Sequence, residues 1–65
     1  MTWEHNSTKR PNEFRLIKRG QIVGRIIVDE ENERYLVYKG RVFQGEFILL
    51  ALDSAKRFLE LLVED

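Results

Sequence analysis

An imidazole can act as an acid, a base or a metal ligand only when a rigid element holds it beside a partner. The one histidine here, His5, lies in a polar stretch, residues 1–12, that shows no apolar periodicity and ends at Pro11-Asn12. No acid or nucleophile is fixed near it. Asp29, Glu30, Glu31 and Glu33 form an acidic run, but they lack the alternating spacing and the terminal bidentate glutamate that a calcium loop needs. Thr2, Ser7, Thr8 and Ser54 have no histidine beside them on a rigid element, so none is set up as a nucleophile. The glycines, at 20, 24, 40 and 45, are too scattered to cradle a phosphate. With no cysteine and a single histidine, the usual zinc sites are excluded. The chain is therefore expected not to be an enzyme, with no catalytic residue, no metal, no cofactor and no small-molecule substrate.

What remains are charges and apolar side chains, and both are unevenly spread. Over residues 1–25, Lys9, Arg10, Arg15, Lys18, Arg19 and Arg25 oppose Glu4 and Glu13, a net +4; residues 26–65 carry the compensating −4, so the whole is neutral. Such asymmetry marks either a basic face for an acidic partner or the mixed solvated faces of ordinary strands and a helix.

The elements that must position these side chains follow from periodicity. Residues 1–12 read as a flexible N-terminal arm. Residues 13–65 read as one domain. Phe14 and Leu16 alternate with Arg15, which predicts a strand over about 13–18. Arg19-Gly20 supplies a turn, because glycine takes positive φ without steric cost. The β-branched run Gln21 to Val28 predicts a second strand, with Ile22, Ile26 and Val28 on one face and Val23 and Ile27 on the other. Gly24 within it suggests a bulge or a closely packed neighbour. A charged loop leads to a strand from Arg34 to Tyr38, a Lys39-Gly40 connection, and a strand from Arg41 to about Gly45.

The last segment is an amphipathic helix, with Ala55, Phe58, Leu59, Leu62 and Val63 opposite Asp53, Lys56, Arg57, Glu60 and Glu64. It begins near Phe47, or Asp53 is its N-cap and residues 46–51 prolong the strand. The expected fold is α+β, a three- to four-stranded antiparallel meander packed on one C-terminal helix.

One helix covers one sheet face, and a cysteine-free domain this small buries only about 60% of the surface of its unfolded chain. Val23, Ile27, Leu49, Leu50 and Leu61 are left over, and a lone Trp3 in the arm is a natural anchor. The sequence thus predicts a protein-binding module (a regulator, inhibitor or adaptor) that self-associates as a homodimer. Its candidate interface is Trp3, Val23, Ile27, Leu49 and Leu50. No apolar run approaches 18 residues, so no membrane span is expected. The polar start without a hydrophobic segment, together with the lack of cysteine, predicts a cytoplasmic setting.

The stretch Arg41-Val42-Phe43-Gln44-Gly45-Glu46-Phe47, followed by a helix with Ala55 and Phe58, resembles the last strand and helix of two related groups. These are the DNA-binding domain of plant ethylene-response factors and the N-terminal arm-binding domain of phage tyrosine integrases. The shared pattern is a strand with an aromatic, x, Gly, x, Phe, then a helix with small residues toward the sheet. The resemblance spans residues 35–60 and implies a three-stranded sheet on one helix, laid in the major groove of DNA, with Arg25, Lys39 and Arg41 facing the duplex. Nucleic acid is therefore the alternative partner, contacted by Arg15, Lys18, Arg19, Arg25, Lys39 and Arg41. Phosphate neutralisation dominates such binding, and a net charge of zero ranks this reading second.

Overall fold

A computed structural model describes residues 1–8 and 10–64. Lys9 of the basic N-terminal half and Asp65 lie outside the described residues. Five strands, β1 (Thr2–Asn6), β2 (Glu13–Lys18), β3 (Gln21–Asp29), β4 (Arg34–Lys39) and β5 (Val42–Ile48), precede one helix, α1 (Leu52–Val63). The strands form a single antiparallel sheet in chain order, β1 to β5. The class is α+β as expected, with five strands where three to four were expected. The additional strand is β1. It falls in the segment read as an arm and pairs with β2 from Thr2 opposite Ile17 to Asn6 opposite Glu13. No helix among the described residues is long and apolar enough to cross a membrane.

The two tight turns follow their residues. Arg19 and Gly20 have φ of 54° and 76°, the paired left-handed conformation that matches the twist of a two-residue hairpin. Gly40 opens the β4–β5 turn at φ 60°. The β3–β4 loop is organised by Asp29, whose carboxylate accepts from the Asn32 side-chain amide at 3.0 Å and from Arg34 Nε at 2.9 Å. These bonds hold the Asp29 carboxyl below its ordinary range and raise the Arg34 guanidinium above its own.

Strand β5 continues through Ile48, so the helix starts late. Its N-cap is Ala51, with no side-chain cap, and Asp53 lies in the first turn where a negative charge complements the helix dipole.

Helix α1 packs on β3, β4 and β5. Leu16, Ile26, Val37, Ala55 and Leu59 are fully buried between the layers, with Val63 at their edge. Trp3, Phe14, Val23, Tyr35, Phe47, Phe58 and Leu62 pack around them. Gly24 serves both roles that a glycine in a strand suggests. It belongs to a bulge, because Leu16 pairs with Gly24 and Ile17 with Ile22, leaving Val23 as the extra residue. It also admits the helix, since a Cβ on Gly24 would lie 2.7 Å from a Leu59 methyl. A second bulge in β5 leaves Gln44 extra between Phe43 and Gly45, which oppose Tyr38 and Val37.

Bulges invert the parity of side chains along a strand. Ile22, expected inside with Ile26 and Val28, stands with Ile17 on the outer face. Val23, expected outside, packs against the core.

Candidate functional site

The face of the sheet away from α1 is built of rows that run across strands. One row crosses all five: Glu4, Arg15, Arg25, Tyr38 and Phe43 are successive register partners. A second is Asn6, Glu13, Ile27, Leu36 and Glu46, toward the β3–β4 loop. Ile17 and Ile22 form an apolar pair toward the tight turns. Tyr38 meets Phe43 edge-on, with ring centroids 5.6 Å apart. Phe43 is 52% exposed and Ile22 41%. Among the described residues no element packs over this face. Only its margin is approached, by Arg10 and Pro11 of the β1–β2 loop, which border a groove floored by Ile27 and Leu36.

The charges of this face are matched within it. Arg15 and Arg25 are direct cross-strand neighbours, an arrangement that like charges disfavour. Glu13, only 1% exposed, resolves it. Its carboxylate accepts from Arg15 Nε at 2.8 Å and Arg15 Nη2 at 2.7 Å, and lies 3.8 Å from Arg25 Nε. Glu4 adds a contact to Arg15 at 3.5 Å. Arg34 bridges Asp29 and Glu46. The result is an apolar surface inlaid with charges that already have partners.

The structure disperses the residues of the sequence-based interface. Ile27 is on the open face. Trp3 is on the opposite side, half-buried, with Nε1 donating to Glu60 Oε2 at 2.9 Å and Lys56 Nζ 5.4 Å from the ring centroid. Val23 is in the core layer, Leu49 is half-buried in the β5–α1 connection, and Leu50 beside it is 96% exposed. Ile17, Ile22, Leu36, Tyr38 and Phe43 were not singled out. Alternation from Arg15 and Arg25 marks Ile17 and Ile27; the bulges hide Ile22 and Phe43.

The basic candidates divide too. Arg15 and Arg25 share the open face. Lys18 lies on the helix side, where Nζ donates to the Val63 carbonyl at 3.0 Å, a cation at a helix C-terminus. Lys18, Arg19 and Lys39 border a groove floored by Val23, Val42 and Leu62 beneath that terminus. Arg41 is exposed in the β4–β5 turn.

His5 stacks on Phe14 across the β1–β2 pair, with centroids 4.2 Å apart. No group of three histidine or acidic side chains among the described residues is arranged to hold a metal ion. No protein-family model, curated protein or solved structure matches this chain.

Proposed function

We propose that this chain is a small non-catalytic protein-binding module, a regulator, inhibitor or adaptor, whose docking surface is the open face of the sheet. The observation that carries the reading is the composition of that face. Ile17, Ile22, Ile27, Leu36, Tyr38 and Phe43 stand on the side away from the helix, and the charges among them are already paired. A protein partner that buries such a surface gains apolar contact without stranding a bare charge. The lack of cysteine supports a cytoplasmic setting.

A second reading, a sheet that reads duplex DNA, draws support from Arg15 and Arg25 standing side by side in one row. Against it, phosphate contacts would have to displace Glu13 and Glu4 from those guanidinium groups, while Lys18 and Lys39 sit on the helix side.

Retention of proteins from native lysate on the immobilised chain, with and without nuclease, separates the two. Retention is expected to survive nuclease and to be lost in the Ile22→Lys/Phe43→Lys double variant. Micromolar duplex binding that vanishes with added salt, by roughly 0.9 logarithmic units per phosphate contact per tenfold rise in salt, and with Arg15→Ala/Arg25→Ala would favour DNA instead.

A further inference from the structure

We infer that the occupant of the open face is a second copy of this chain, packed sheet against sheet with its strands reversed, in a closed two-fold dimer. The inference rests on the protein-binding reading above and adds the partner and its orientation.

Extent is the first argument. With neighbouring strands about 4.8 Å apart and a rise of about 3.3 Å per residue, five strands of this length offer a face roughly 20 Å on each side. One extended peptide covers a strip only about half that wide. A second sheet covers all of it, at the spacing of about 10 Å common to packed sheets.

Charge polarity then selects the orientation. Antiparallel connection puts the β2–β3 and β4–β5 turns at one end of the sheet, carrying Arg19 and Arg41 beside Ile17, Ile22, Tyr38 and Phe43. The β3–β4 loop is at the other end, carrying Glu30 and Glu31 beside the groove floored by Ile27 and Leu36. Among the described residues Arg10 is the opposing charge at that groove, and it is engaged with the Ser7 carbonyl and Asn12.

Two copies can stack face to face about a two-fold axis along the strands or across them. The first places the cationic turns of one copy over those of its partner, and acids over acids. The second places each copy's turns over the other's acidic loop, and the contact is made twice. Only the second is complementary. In it the Phe43 end of one face meets the Leu36 end of the other. The Glu4–Arg15–Glu13–Arg25 cluster lies toward the middle, where its internal pairing satisfies burial. The product is a ten-stranded sandwich with a helix on each outer side, and no open face remains to propagate.

Sedimentation equilibrium over a dilution series tests this. The wild-type chain is expected to reach twice its 7.8 kDa mass and to return to it on dilution. Arg19→Glu/Arg41→Glu and Glu30→Lys/Glu31→Lys are each expected to weaken the dimer by about tenfold or more, the scale for juxtaposed like charges. Mixed in equal amounts, the two variants should form a heterodimer, because one is acidic at both ends and the other basic at both. Ile22→Lys/Phe43→Lys should remain monomeric with an unchanged circular-dichroism spectrum.

A wild-type chain that stays at the monomer mass overturns the dimer. So does a dimer that survives Ile22→Lys/Phe43→Lys, or charge variants that mixing does not rescue. A duplex bound through Arg15 and Arg25 overturns it as well. The protein-binding reading fails separately, when the wild-type chain stays at the monomer mass and, in addition, wild type and Ile22→Lys/Phe43→Lys retain the same proteins.

Discussion

Two faces of one sheet differ here more than their sequences do. Leu16, Ile26 and Val37 are completely buried under the helix, while Ile17, Ile27 and Leu36, each one position away, are only half-covered. Both sets are aliphatic and come from the same three strands. What separates them is the far side: α1 supplies Ala55, Leu59 and Val63 to one face and nothing to the other. The polar residues divide in keeping with this. On the covered side they stand at the margin, as Lys18, Lys56 and Glu60 do, reaching from apolar stems to a carbonyl, to aromatic rings and to the Trp3 indole. On the open side they sit inside the rows and neutralise one another.

The sharpest way to probe this contrast is to empty the covered face. Leu59→Ala removes a fully buried side chain over Gly24 and should cost about 2–5 kcal/mol in urea unfolding, a large share of a small domain's stability. A cost below half a kcal/mol would mean that the helix does not hold this face. Filling it is the complementary test. Gly24→Ala drives a methyl into Leu59 and should destabilise by about 1–3 kcal/mol. Paired with Leu59→Ala, the same substitution should cost much less, which a double-mutant cycle would read directly.

Smaller effects probe the margins. Trp3→Phe keeps an aromatic in place but removes the bond to Glu60, for an expected loss of about 1 kcal/mol. Trp3 fluorescence in the wild type should be blue-shifted and protected from quencher; the red-shifted emission of a solvated indole would mean that β1 is not docked on the helix.

Asp29 titrates at the exposed loop. Its carboxyl is held below the ordinary value of 3.8 by bonds from Asn32 and Arg34. Its contribution is therefore present above that value and is lost as pH falls through the lowered folded one. Asp29→Asn should remove a small stabilisation at neutral pH and flatten the acid limb of the stability profile below the ordinary value of 3.8. An unchanged acid limb would show that other carboxylates carry it.

Phe43→Lys should have the least effect on the monomer. At concentrations low enough to exclude association it should lie within about 0.5 kcal/mol of wild type, because half of its surface is exposed. A loss of several kcal/mol would place Phe43 in a core and close the open face.

Much of the fold was legible in local pattern. The strands β2 to β4, the Arg19-Gly20 turn, the inward face of α1 and a special role for Gly24 all follow from short-range rules: alternation, positive φ at glycine, and helical spacing. The next turn lies one residue later than the expected Lys39-Gly40: Lys39 ends β4 opposite Val42, and the connection is Gly40-Arg41. Strand β1 was not legible. Five mostly polar residues at an edge carry no signal of their own and become a strand because Trp3 finds the helix and β2 offers an unpaired ladder.

The candidate interface was legible only in part, for a different reason. Alternation assigns side chains to two faces but fixes which is which only relative to its neighbours, and one inserted residue inverts the assignment beyond it. The Val23 and Gln44 bulges do this, sending Ile22 and Phe43 outward. Composition alone determined that this chain would hold more apolar side chains than one helix can cover. Which of them stay uncovered was decided in three dimensions. Leu59 seats where Gly24 has no Cβ, the β3 bulge next to that contact turns Val23 inward, and Ile22 is left on the face that the helix does not reach.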